Sequence, residues 1–195
     1  MKKIILASQS KRRSAILTSC GISHKVIPSG VREMHKSSGG PEALVMHNAR
    51  IKAEQVAKGR RSGIILGVDT MVLFKGKLMG KPADKDAAKK MLRSFSGKRL
   101  LVYSGLHLID TASGRSSTGF DITALRIKRI LRRDIEKYFK LLGPYDKAGG
   151  FSIEGIGSIV FDDIKGSYYN VLGLPMAKLQ ELFQKIGLDL LDFVK

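Results

Sequence analysis

Short apolar runs alternate with amphipathic stretches along this chain, a pattern typical of strands interleaved with helices. Residues 3–7 are apolar and β-branched and predict a buried strand, and residues 10–19 predict a helix that Gly21 ends. Pro41 suits the first turn of a second helix, which runs to Lys58 with apolar residues at helical spacing. The other predicted elements are strands at 24–28, 64–68, 71–74, 100–110, 115–125 and 159–161, a tight turn at 75–77 and helices at 84–95, 132–142 and 175–186. This order predicts an α/β fold with a mixed sheet and flanking helices.

Length and composition set the scale of this fold. The chain has 195 residues, 43% of them hydrophobic, which suits one compact domain over residues 1–195, built as two lobes. No apolar run approaches the length of a membrane span, so we expect no membrane partner. The single cysteine, Cys20, cannot form an internal disulfide, which fits a reducing, cytoplasmic location.

The charge of the chain is strongly positive. Lys and Arg total 35 against 17 acidic residues, a formal net charge of +18, which favours a nucleotide, a nucleic acid or an acidic membrane surface as partner. A solvated basic surface explains the same excess. No RNA-binding or helix-turn-helix pattern is present, and aromatic residues do not interleave with the basic runs. We therefore expect no specific nucleic-acid partner.

The first candidate site lies where the first strand ends and the first helix begins. Ser8, Ser10, Arg12 and Arg13 place two hydroxyls and two guanidinium groups beside the unpaired backbone N–H groups of a helix start. Such a set suits the oxygens of a phosphate, because the planar guanidinium matches them with two parallel hydrogen bonds. An ordinary helix cap followed by exposed basic residues explains the spacing equally well.

The second candidate is Asp69, which directly follows the apolar run 64–68. A carboxylate at such a strand end can hold a divalent metal or deprotonate a water, although capping a turn is the simpler role. Farther along, residues 76–82 approach a phosphate-binding P-loop but fail, since the glycine spacing is one residue short and Pro82 replaces Ser or Thr. Lys81 can still bind phosphate as a point charge.

Glycine-rich stretches at 146–157 and 166–175 allow close backbone approach to a ligand. Taken together and in order, several segments resemble the Maf family of nucleotide pyrophosphatases. The matching stretches are residues 6–13, 52–53, 67–72, 80–82, 146–149 and 166–175. They cover essentially the whole chain with the right order and spacing, which makes the resemblance specific.

The resemblance implies a mixed α/β fold with two lobes around a central cleft, related to the inosine triphosphate pyrophosphatases. It also implies a nucleoside triphosphate substrate, hydrolysed between its α and β phosphates with Mg or Mn as a house-cleaning activity. The expected products are the monophosphate and pyrophosphate. A homodimer is compatible with these expectations.

Site residues follow by position from the resemblance. Asp69 corresponds to the family's proton acceptor, and Lys52 and Lys81 are its expected catalytic companions. Glu33 matches an acidic residue of the site and is expected to share a metal with Asp69. The expected phosphate ligands are Ser8, Ser10, Arg12, Arg13, Lys52 and Lys81, and the positions expected to set base preference are Arg12, Thr70 and Glu154.

Two departures from the family pattern bear on these expectations. Lys11 stands where the family usually has Pro, and Glu154 stands where the branch acting on dTTP and UTP carries Gln. The branch acting on 7-methyl-GTP has Glu there but places Trp and Gln where this chain has Arg12 and Thr70. Base preference is therefore mixed. The alternatives to an enzyme are a basic nucleic-acid-binding protein and a degenerate family member acting in division control through protein partners.

Overall fold

The computed structural model of the chain describes residues 3–141 and 148–195. Its strands are β1 Ile4–Ala7, β2 His24–Val26, β3 Ile64–Phe74, β4 Lys77–Met79, β5 Arg99–Asp110, β6 Ser116–Ile127 and β7 Phe161–Lys165. Its helices are α1 Lys11–Ser19, α2 Gly40–Ala57, α3 Lys85–Phe95, α4 Ile135–Leu141, α5 Tyr168–Leu172 and α6 Met176–Lys185. Within these described ranges, no helix combines the length and apolar character that crossing a membrane requires.

The strands form one mixed sheet in the order β2-β1-β3-β5-β6-β7, with β4 paired to β3. β1 is parallel to both of its neighbours, and its last residue, Ala7, lies opposite Gly67 of β3. β3 with β4 and β6 with β7 are antiparallel pairs. The predicted α/β class with a mixed sheet and flanking helices is confirmed.

The chain divides into two compact units. The first comprises the described residues of Met1–Thr70, Tyr103–Asp121 and Leu172–Lys195, and the second those of Met71–Val102 and Ile122–Val171. Each unit therefore draws on separate stretches of the chain. Of the residues expected in the functional site, Lys81 and Glu154 belong to the second unit and the others to the first.

Helix α2 packs closely on the strands of the first unit because two strand positions carry no side chain. A Cβ added to Gly67 of β3 would lie 2.0 Å from the carbonyl oxygen of Ala49, far inside van der Waals contact. A Cβ added to Gly105 of β5 would lie 2.3 Å from the carbonyl oxygen of Val45. These glycines let the backbone of α2 reach the sheet, which brings its inward-facing polar side chains to Val68 and Asp69 in the middle of β3.

Several predicted boundaries differ from the structure. Residues 64–68 and 71–74 form the single strand β3, because the chain beyond Asp69 continues into antiparallel pairing with β4. β4 was not predicted as a strand, although the turn before it was, with Lys75 and Gly76 at positive φ. Asp69 thus lies inside a strand rather than after one.

The chain around residues 155–172 also differs from the prediction. Gly155–Val160 is a 3-10 helix, and β7 begins only at Phe161, so the predicted strand at 159–161 is wrong for its first two residues. β7 lies at the sheet edge and carries two adjacent aspartates, Asp162 and Asp163, which hide its strand character in the sequence. Helix α5 was not predicted, and the predicted end of the helix at 132–142 lies outside the described residues.

Candidate functional site

Lys52 is the centre of a group of charged residues in the first unit. It lies on the inner face of α2, and its side chain is only 8% exposed. The ammonium nitrogen Nζ is 2.7 Å from Oδ1 of Asp69 and 2.7 Å from Oε1 of Glu33. It also donates to the Val68 carbonyl at 3.3 Å. One buried cation is thus shared between two carboxylates.

Asp69 lies where its neighbouring strand has stopped. Ala7, the last residue of β1, pairs with Gly67, so β3 runs on past the end of β1 before it reaches Asp69. The Asp69 carboxylate is buried, with Oδ1 bonded to Lys52 and Oδ2 accepting from Nδ2 of Asn48 at 3.0 Å. An ionised carboxylate offers about four lone-pair sites, so Asp69 keeps acceptor capacity for a water.

Asn48 connects Asp69 to the loop that carries Glu33. Its amide nitrogen donates to the Met34 carbonyl at 3.0 Å, and its Oδ1 accepts from the Met34 backbone N–H at 2.9 Å. Sequence reasoning missed this residue. The available signal was its spacing, because Asn48 and Lys52 are four residues apart and share one face of α2 between apolar neighbours.

The turn from β1 into α1 supplies a second group of polar side chains. Ser10 is the N-cap of α1, with its Oγ accepting from the Arg13 backbone N–H at 3.5 Å. Arg13 is buried, and its Nη1 donates to Oγ of Ser8 at 2.8 Å. Burial lowers the pKa of Arg13 from its ordinary value, whereas the carboxylates of Asp69 and Glu33 raise it. Arg13 remains a cation at physiological pH.

Arg13 and Lys52 supply two positive charges beside the two negative charges of Glu33 and Asp69, and Arg12 adds a further positive charge that acts on Arg13. In the described part of the chain, no three His, Cys, Asp or Glu side chains gather as a metal-binding group. Two carboxylates bonded to one ammonium nevertheless suit Mg²⁺, which proteins often hold through one or two carboxylates together with substrate phosphates.

The second unit contains the other expected site residues. Lys81 is exposed and follows Gly80, whose carbonyl accepts from the Gly149 backbone N–H at 3.1 Å. Glu154 is exposed beside Ser152, whose Oγ donates to its carboxylate at 3.3 Å. The motif residues 146 and 147 lie outside the described part of the chain.

The first part of the glycine-rich stretch at 166–175 packs closely against neighbouring strands of the second unit. A Cβ on Gly166, which has φ of +123°, would lie 2.8 Å from Oγ1 of Thr123. Fully buried Asn170 donates to that same oxygen at 3.0 Å and to the Val102 carbonyl at 3.1 Å. In this part of the motif, the close backbone approach serves packing within the second unit.

Comparison of the whole chain with known proteins identifies its family. A family model described as Maf-like protein matches residues 3–186. The chain belongs to the Maf family. The match includes both units and every residue that the sequence pattern assigns to the site.

Maf relatives match over nearly their full length. A dTTP/UTP pyrophosphatase of Caldicellulosiruptor saccharolyticus is 36% identical over 195 residues, covering 98% of each chain. A dTTP/UTP pyrophosphatase of Clostridium novyi is 38% identical over 190 residues, covering 96% of this chain and all of its own. A solved structure of a HAM1 protein from Coxiella burnetii aligns with a TM-score of 0.45 at 18% identity, over 68% of this chain and 76% of its own.

The shared ion pair predicts that Lys52 stabilises the fold as well as the site. Replacing Lys52 by Met should cost about 3 kcal/mol in the free energy of unfolding, because it removes one partner of a buried ion pair and leaves the Asp69 carboxylate without its cation. Urea unfolding at constant pH measures this cost.

Glu33→Gln is the matched control for that experiment. The Glu33 side chain is 46% exposed, so its contribution should stay below about 1 kcal/mol. Equal stability losses in Lys52→Met and Glu33→Gln would contradict the asymmetry seen in burial.

Proposed function

We propose that this chain is a nucleoside triphosphate pyrophosphatase that releases the monophosphate and pyrophosphate in a house-cleaning role. The observation that carries the proposal is the buried Asp69 carboxylate, held on both oxygens by Lys52 and Asn48 in a chain of the Maf family. The names of the relatives, dTTP/UTP pyrophosphatase, support the same reaction class. They also favour thymine and uracil nucleotides as the first substrates to test.

In the proposed reaction, Asp69 is the general base. It accepts a proton from a water as the water oxygen forms a bond to the α-phosphorus, and the bond from that phosphorus to the bridging oxygen breaks. Pyrophosphate leaves with the electron pair of the broken bond. The hydrogen bonds from Lys52 and Asn48 fix the carboxylate, so that its remaining lone pairs keep one orientation.

Positive and polar groups stabilise the charge that develops on the phosphates. In this proposal Ser8, Ser10 and Arg12 bind phosphate oxygens, while Lys52 and Arg13 contribute positive charge. Stabilising such charge is most of the catalytic task in phosphoryl transfer. The phosphate-binding and catalytic roles of Lys81 stay predictions from the family pattern.

Glu33 and Asp69 would hold a divalent cation. Their oxygens are hard ligands of the kind that Mg²⁺ and Mn²⁺ prefer, and both already lie against one positive charge at Lys52. A metal bound there would supply neutralisation of phosphate charge and a lower pKa for a bound water. Before any metal binds, the ammonium group of Lys52 holds the carboxylates of Glu33 and Asp69 near each other, so that the two metal ligands are already in place.

The cellular location and the partners of the protein are also part of this proposal. The lone Cys20 suits a reducing compartment, which supports a cytoplasmic location. Specific binding to nucleic acid and to membranes is not expected, and a homodimer stays a prediction.

Asp69→Asn tests the proposed chemistry. The variant should fold but lose turnover by on the order of a hundredfold or more, because the amide cannot accept the proton. Phosphorus NMR of a dTTP reaction with magnesium should show pyrophosphate from the wild type. Asp162→Asn, at an exposed position of β7, is the matched control and should retain turnover. Orthophosphate with a nucleoside diphosphate, or near-normal turnover in Asp69→Asn, would refute the assignment.

Glu154→Gln tests the proposed determinant of base preference. An ionised Glu only accepts hydrogen bonds, whereas Gln also donates, and uracil and thymine present acceptors that a Gln amide can complement. We expect the variant to raise kcat/KM for UTP and dTTP relative to CTP and GTP by about tenfold or more. Glu136→Gln, an exposed control, should leave that ratio unchanged. A base profile identical in wild type and Glu154→Gln would remove Glu154 from base recognition.

A further inference from the structure

The hydroxyl of Ser8 has its acceptor capacity filled from within the protein. Its Oγ accepts from Nη1 of Arg13 at 2.8 Å and from the backbone N–H of Ser10 at 3.2 Å. A serine hydroxyl has two lone pairs and one proton, so these two bonds leave the proton as its remaining group. Across residues 3–141 and 148–195, no hydrogen bond donated by Ser8 is found. Ser8 is therefore set up to donate.

Arg13 reaches Ser8 with a guanidinium group that is already committed. Its Nε donates to the Gly173 carbonyl at 2.8 Å, Nη1 donates also to the Val68 carbonyl at 3.1 Å, and Nη2 donates to Oγ1 of Thr70 at 2.9 Å. With the bond to Ser8, four of its five N–H groups are used inside the first unit. The residue is only 9% exposed.

The partners of Arg13 are themselves fixed. Oγ1 of Thr70 lies 2.9 Å from Oγ of Ser104, which is fully buried on β5. Gly173 has φ of +97°, a backbone conformation that suits glycine, and a Cβ there would lie 3.6 Å from Nε of Arg13. The acceptors around the guanidinium group therefore match the fixed directions of its N–H groups as well as its charge.

We propose that Arg13 is a positioning residue, which acts on the substrate through the hydroxyl of Ser8 instead of binding phosphate itself. By filling the acceptor sites of Ser8 together with Ser10, it directs the hydroxyl proton toward an anionic oxygen of the ligand. Thr70 and Ser104 hold Arg13 in place for this role. The inference rests on the proposed function, in which that anion is part of a nucleoside triphosphate.

Arg13→Lys is expected to weaken either role, because lysine keeps the charge but loses the planar fork that matches phosphate as well as the protein acceptors. The two roles differ in how far the loss depends on the Ser8 hydroxyl. A positioning residue acts through the fork, and an ammonium group with three donors cannot reproduce four bonds of fixed geometry. Moreover, a residue that works through Ser8 has little left to do once the Ser8 hydroxyl is gone.

A double-mutant cycle over Arg13→Lys and Ser8→Ala tests this relation. Each single variant should lose about tenfold or more in kcat/KM for dTTP, and the double variant should lose no more than about twofold beyond the worse single. Arg12→Lys combined with Ser8→Ala is the matched control, and its losses should multiply. Multiplicative losses for the Arg13 pair, or near-normal kcat/KM in Arg13→Lys, would overturn the inference.

Two further measurements separate a loss of folding, and a wrong choice of substrate, from a failure of the positioning role. Thermal unfolding of each variant shows whether a loss of kcat/KM comes from loss of the folded state. If Arg13→Lys fails to fold, Thr70→Val removes one anchor of the guanidinium group with little change of shape, and its loss should again fail to multiply with that of Ser8→Ala. Multiplicative losses in that cycle would count against the positioning role.

The same cycle can be measured by titration calorimetry with inorganic pyrophosphate as the probe. If the variants show coupled losses of pyrophosphate affinity but the wild-type protein hydrolyses no triphosphate, the positioning role is retained and the proposed function is rejected. Independent losses in affinity, or no binding of pyrophosphate to the wild type, would overturn the positioning role itself.

Discussion

The buried ammonium group of Lys52, shared by two carboxylates, is the interaction on which the rest of the site depends. A charge with so little exposure is costly unless it is paired and hydrogen-bonded, and Asp69, Glu33 and the Val68 carbonyl together meet that need. The pairing is available only because α2 lies against the sheet at Gly67, where no side chain would fit. Fold and chemistry are therefore linked through one glycine contact and one lysine.

The formal charges of Arg13, Lys52, Glu33 and Asp69 cancel, so these four residues add nothing to the net charge of +18. Their pairing allows Arg13, Lys52 and Asp69 to be buried, whereas the Glu33 side chain is 46% exposed. The Val68 carbonyl accepts from both Lys52 and Arg13, so it joins the two cations to one strand. A bound triphosphate would meet a site whose geometry is already fixed by its own ion pairs.

Local pattern predicted the elements that carry the site, but it did not predict the contacts between them. The short apolar run of β1, the cap at Ser10 and the helical spacing of α2 are local signals, and the structure has strand and helices there. The continuation of β3 past Asp69 depends on pairing with β4, which is a property of two segments together. Asn48 and Ser104 were missed for the same reason, since each is a polar residue among apolar neighbours whose partner lies 21 or 34 positions away.

The central proposal is that a water attacks the α-phosphorus of a nucleoside triphosphate, with Asp69 as its base. Single-turnover hydrolysis of dTTP in oxygen-18-labelled water, with the products separated and analysed by mass spectrometry, tests the point of attack directly. We expect the label to enter the nucleoside monophosphate and the pyrophosphate to carry none. Label in the pyrophosphate would place the attack on the β-phosphorus and contradict the proposed reaction.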